Sequence, residues 1–181
     1  MNERSYKTAL GGILSAAAVS VMFLGGIIPF ATYISPILAS LCVMIIHTEL
    51  GAKQSLIVFC AIAILSLLLS PDKEAAMIFS VFFGYYPAAR HLIEKIRKKS
   101  LVFFIKLLLF NLTVIGSYMI VCLILFVPAI ASDFKEMSMI MIIVLAAAGN
   151  ITFLLYDKMI SRVMIRYVYR IRPGLIKEKR K

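Results

Sequence analysis

Charged residues along this chain fall in clusters separated by long apolar stretches, instead of recurring on every helix face as they do in a water-soluble protein. From Thr8 to Ile46 there is no Asp, Glu, Lys, Arg or His. Further neutral stretches run from Gln54 to Pro71, Ala75 to Ala89, Leu107 to Ser132 and Met137 to Tyr156. A hydrocarbon core about 30 Å thick takes about 20 helical residues per crossing, because backbone polar groups find no water inside it. The first stretch is long enough for two crossings, and Gly25, Gly26 and Pro29 divide it near its middle, as a tight turn would. The pattern therefore predicts an all-α protein, an integral membrane bundle of six transmembrane helices. The fourth neutral stretch, from Ala75, is the shortest; it reaches across only if Arg90 buries its aliphatic stem and lifts its guanidinium to the headgroups.

Charge sets the orientation. With six spans and both ends inside, only Lys73 and Lys135 of the 20 Lys and Arg lie outside, as expected where cytoplasmic flanks hold the cations. Removing the fourth helix would move the Arg90–Lys106 cluster to the face of Lys73. The N- and C-termini are therefore expected in the cytoplasm, with a transmembrane domain over 1–160 and a basic extension over 161–181. The basic start before an apolar run is like a secretory signal, but its length and the lack of a clear cleavage site predict a retained helix in a multi-pass cell-membrane protein. Composition agrees: 62% of residues are hydrophobic, against roughly 45–50% in soluble domains. Because the net charge of +11 sits beside apolar spans, it favours an anionic inner leaflet over nucleic acid as its partner. Cys42, Cys60 and Cys122 have no paired spacing and are read as small core hydrophobes.

Within this frame a few residues stand out. Gly12, Ala16 and Ser20 continue from Thr8 a stripe of small side chains at every fourth position, which lets another backbone approach closely. The partner is either a neighbouring helix of the same chain or a different membrane subunit. Asp72, Lys73 and Glu74 in one outer loop, and Asp133, Lys135 and Glu136 in another, either cap the helices that follow or close over a ligand. Tyr85, Tyr86, Asn111 and Asn150, with Thr113, Tyr118 and Thr152, interrupt the neutral stretches at depths that let them meet. They serve interhelical hydrogen bonding or line a pocket, and Pro87 allows a kink beside them. Lys158, Arg162, Arg166 and Arg170 form a cationic stripe suited to lying along the inner leaflet, as an anchor or as a docking site for a cytoplasmic partner.

Catalytic patterns are not evident. His47 and His91 stand alone without metal-ligand spacing, Glu49 is placed to pair with Lys53 at i,i+4, and no acid and base pair sits inside a span. No enzyme activity, metal or cofactor is expected.

The opening Lys7-Thr8-Ala9-Leu10-Gly11-Gly12-Ile13-Leu14-Ser15-Ala16-Ala17-Ala18, with the size and the parity of spans, resembles the first helix and architecture of the substrate-binding S-components of energy-coupling factor (ECF) importers. The resemblance covers residues 5–160 as architecture and the first helix as motif. It implies that Gly12, Ala16 and Ser20 contact a transmembrane coupler energised by separate ATPases, and that a small-molecule ligand binds near Asp72 to Glu74, Tyr85, Tyr86 and Asn111. The signatures of riboflavin, thiamine, biotin or folate binding are not recognised, and there is no tryptophan. More loosely, the chain resembles uncharacterised clostridial multispan membrane proteins and the MreD-type cell-shape proteins. That second resemblance implies a scaffold with no small-molecule substrate.

Overall fold

The structure is a computed structural model that describes residues 3–28, 31–124 and 138–173. The described residues are helical, without strands. In chain order the helices are α1 (Glu3–Gly25), α2 (Ile34–Leu50), α3 (Ala52–Leu69), α4 (Lys73–Ile78), a π-helical turn (Phe79–Phe83), α5 (Tyr86–Ile93), α6 (Lys99–Ile124), α7 (Met139–Arg166) and a π-helical extension (Tyr167–Ile171). Four segments are long and apolar enough to cross a membrane: Ser5–Gly25, Ala52–Leu69, Lys99–Ser117 and Met139–Arg170. Ile34–Leu50 is apolar but shorter. These features are consistent with a multi-pass membrane protein. Pro29, Asp133, Lys135 and Glu136, and the side chains of Tyr118 and Cys122, lie outside the described part.

The long neutral stretch from Thr8 divides where its glycines lie, with α1 ending at Gly25 and α2 starting at Ile34. A single residue, Gly51, then separates α2 from α3. Its φ of 88° and ψ of 174° belong to a region that side chains with a Cβ avoid. Across this turn the His47 ring and Ser55 Oγ are hydrogen-bonded at 3.1 Å.

The fourth stretch is helical but not one regular helix. Pro87 has no N–H, and its ring excludes the carbonyl four residues back, that of Phe83. The chain answers with a wider turn, in which Gly84 N donates to Phe79 O at 2.8 Å, and α5 restarts with Ala88 and Ala89 N donating to Tyr85 O. Wide turns of this kind re-aim the side chains that follow.

Two compact units emerge. The first combines the described residues up to Leu92 with those from Met159 onward; the second is Ile93–Lys158. In the first unit α1 packs on α2 and α3, and α4 with its π turn lies against α2 and α3. Its core is Ala18 and Met22 from α1, Ala39 and Val43 from α2, Ile62 and Ala63 from α3, and Ala75, Ala76 and Phe79. Small residues dominate because lipid supplies no hydrophobic drive for helix association, and close van der Waals approach does the work. Cys42 flanks this core, as expected, whereas Cys60 is exposed, so the core reading fails there: its position on α3 turns it outward.

Gly84 is one of the tight points of this packing. A Cβ there would overlap the Phe59 ring and stand 3.0 Å from Phe79 Cε1, whereas nothing lies within 4 Å of one at Gly12. Gly84→Ala is accordingly expected to destabilise the purified protein by about 1–3 kcal/mol, as overpacking does. Gly12→Ala is expected to cause no loss. Thermal melting of both variants in one detergent checks the contrast.

Candidate functional site

On α1 the chain's own packing uses one face and leaves the other. Gly11, Ala18 and Met22 are buried, and Ser15 is half-buried with its hydroxyl returned to Gly11 O at 2.6 Å. Thr8, Gly12, Ala16 and Ser20 all face outward. A Cβ at Gly12 would meet nothing within 4 Å. Beside this stripe run two open grooves. One, of about 370 Å³, is lined by Lys7, Thr8, Gly11, Gly12 and Ser15 with Leu50, Gln54, Ile57 and Val58. The other, of about 360 Å³, is lined by Val19, Ser20, Phe23 and Leu24 with Leu69.

At the other end of the first unit the three charged loop residues are taken up locally. Asp72 caps α4, its Oδ1 accepting from Ala75 N at 3.0 Å. Lys73 Nζ donates to Leu67 O at 2.8 Å and Leu68 O at 3.3 Å, closing the carbonyl end of α3. Glu74 accepts from the Tyr33 hydroxyl at 3.3 Å, and its carboxylate, with some burial, raises the Tyr33 pKa above its usual value. Tyr86 is fully buried, its ring 5.0 Å from that of Phe82. Tyr85 is half-buried, with its ring 6.2 Å from Phe59 and 6.3 Å from Phe82.

Asn111 and Asn150 belong to the second unit, where α6 and α7 run antiparallel. Each Nδ2 donates to the other's Oδ1, at 3.0 and 3.2 Å, and each also donates to its own i−4 carbonyl, Leu107 or Ala146, at 2.8 Å. Next to this pair the Phe110 and Phe153 rings stack at 4.8 Å, only 6° from parallel. Beyond them Lys106 inserts its ammonium between carboxylates, 2.9 and 3.0 Å from the two Asp157 oxygens and 3.0 Å from Glu94 Oε1. Lys106 is only 7% exposed.

This triad is an acid and base cluster that the neutral stretches did not reveal, because Lys106 and Asp157 stand directly beside their ends. Lys106 and Asp157 both lie inside helical segments long and apolar enough to cross. They escape a search for neutral stretches because such a search ends at the first charge. The signal was present nonetheless. Lys106 precedes Phe110 by the same interval at which Asp157 follows Phe153, as partners in an antiparallel hairpin must.

A second polar cluster lies at the Glu49 end of the first unit. Glu49 pairs with Arg172 Nε at 2.9 Å and accepts from the Tyr167 hydroxyl at 3.3 Å, not from Lys53 as expected, because α2 ends where the basic extension reaches it. His47 and His91 do not stand alone; their ring centroids are 5.2 Å apart. Among the described residues no group of three His, Cys, Asp or Glu is placed to hold a metal ion. Arg90, buried and not lifted free, donates from Nη2 to Ser161 Oγ at 2.6 Å. Lys158, Arg162, Arg166 and Arg170 are all exposed.

No family model matches this chain, and neither a curated protein nor a solved structure matches it.

The triad outweighs the amide pair energetically. Interhelical hydrogen bonds in membranes average about 0.6 kcal/mol, whereas stripping one partner from a buried ion pair costs about 3–5 kcal/mol. Asp157→Asn should therefore destabilise the α6–α7 hairpin several times more than Asn150→Leu. The double replacement Lys106→Met with Asp157→Leu should recover most of the loss, since no buried charge is then left unpaired. Unfolding of the three variants in mixed micelles, followed by circular dichroism, measures both differences.

Proposed function

We propose that this protein is a non-enzymatic subunit of a cell-membrane importer. It captures a small-molecule ligand and joins an ECF-type transmembrane coupler energised by separate ATPases. Its topology is six spans with both ends in the cytoplasm. In that topology α4, the π turn and α5 together make the fourth crossing, and α2 a short second one.

The observation that carries the reading is the outward face of α1. Gly12, Ala16 and Ser20 are spaced for close helix contact, and the described chain does not cover them. A small-residue face left open on a membrane helix fits a partner helix better than it fits lipid tails. The ligand would be held by the Tyr33–Glu74 end of the first unit and the aromatic side chains around Tyr85.

One observation favours a second reading. Asn111 and Asn150 satisfy each other and their own helices, which makes them a clasp and leaves little of their hydrogen-bonding capacity for a ligand. A membrane scaffold of the MreD type, without a small-molecule substrate, uses the same α1 face for a different partner.

Co-purification from the native membrane separates the two. Wild-type protein is expected to bring down a coupler and ATPases, and Gly12→Leu or Ala16→Leu to lose them while melting as the wild type does. Recovery of wall-synthesis proteins in their place overturns the importer reading. Thermal-shift screening against vitamins, amino acids and metal ions provides the other arm. A ligand at a hundredfold excess over Kd stabilises by about 2.7 kcal/mol, and a saturable shift of that size would end the scaffold reading.

A further inference from the structure

The basic end of the last helix is not a separate segment folded onto a surface. α7 continues unbroken from Met139 to Arg166, and the π-helical extension carries it to Ile171. From Met139 to Asp157 it is about 28 Å long, close to the ~30 Å thickness of the hydrocarbon. Lys158 thus stands where the helix leaves the membrane core. Arg162, Arg166 and Arg170 follow at about 6, 12 and 18 Å further along the axis. The headgroup zone is only about 5–8 Å deep on each side.

We propose that this end of α7 is an upright column whose lowest two cations, Lys158 and Arg162, bind the phosphates of anionic lipid, while Arg166 and Arg170 stand beyond the headgroups. Charge complementarity and continuity with the apolar span select lipid as the occupant. The opposite face of the column is held by the protein: Ile160 and Tyr167 are buried, and Glu49 grips both the Tyr167 hydroxyl and Arg172. Glu49 is therefore a positioning residue that keeps the column upright and sets the height of its cations. The inference rests on α7 crossing the bilayer and not on the importer reading, so the two fail independently.

The test uses full-length protein in nanodiscs of phosphatidylcholine alone or of an equimolar mixture with phosphatidylglycerol. Native mass spectrometry counts the phosphatidylglycerol retained. A cation close to an anionic surface strengthens attraction about fivefold, and the effect fades beyond a Debye length of about 8 Å. Lys158→Gln and Arg162→Gln are each expected to cut retention several-fold, Arg162→Lys to restore it, and Arg170→Gln to change it by less than about twofold. In a Glu49→Gln background the contrast between positions 162 and 170 should shrink. Melting by circular dichroism identifies any variant that has lost its fold, and the conservative Arg162→Lys keeps the comparison readable. Equal losses at positions 158, 162 and 170, as for a helix lying flat, overturn the column, and so does no loss at any of the three. An undiminished contrast in Glu49→Gln overturns the role given to that residue. Tight binding of an oligonucleotide or of polyglutamate to the phosphatidylcholine discs, abolished by Arg170→Gln with lipid retention unchanged, would assign the stripe to a soluble polyanion instead.

Discussion

Inside hydrocarbon a polar group finds no water, so a polar side chain placed in a helix is favoured when it is answered from within the protein; the buried hydroxyls of Ser35 and Ser66 are exceptions. Most are answered by the helix itself. Ser15, Thr48, Ser80, Thr113, Ser117 and Thr152 each turn a hydroxyl back to the carbonyl four residues earlier. The two asparagines do the same with one amide hydrogen and have a second left over. That second donor cannot be met locally, and it draws Asn111 and Asn150 into reciprocal bonds across the hairpin. Register in the second unit follows from this requirement and from the charge triad one step along, with the Phe110–Phe153 stack between them.

The same requirement is harsher for charge. A buried ammonium cannot be satisfied by its own helix, because the last free carbonyls lie at the C-terminal end and Lys106 sits near the start of α6. It recruits Asp157 with both oxygens and then Glu94, whose side chain is 41% exposed and keeps contact with the polar boundary. In the first unit Glu49 is handled in the same way, by a guanidinium and a phenol from the basic extension. Two polar clasps, one in each unit, thus hold segments that are far apart in sequence. Neither depends on a hydrophobic driving force.

What the sequence makes legible follows from which of these pairings are local. The helices, the break at Gly25 and the capping by Asp72 depend on neighbours within a few residues, and the pattern along the chain reveals them. The matched depths of Asn111 and Asn150 are also visible, since antiparallel neighbours across one bilayer must meet at equal depth. Glu49 shows the limit: its hydroxyl partner is 118 residues away, whereas reasoning from i,i+4 spacing reaches only to Lys53. The wide turn at Phe79–Phe83 is half legible. Pro87 announces a disturbance, but how the chain absorbs it depends on Gly84 meeting the ring of Phe59 on a neighbouring helix.

Exposure means something different on this surface than on a soluble protein. Leu68, Ile140 and Ile57 are among many large apolar residues turned outward, and where they meet lipid tails that exposure carries no penalty and identifies no partner. Small residues are the informative ones. A glycine, alanine or serine turned to lipid gives up the contact area that a leucine would supply, and recovers it only when another backbone comes close. On α1 the buried face already uses Gly11, Ala18 and Met22 to admit α2 and α3. The outward face repeats that economy of side chain at Gly12, Ala16 and Ser20, all three of them exposed. The proposed subunit contact rests on that open face.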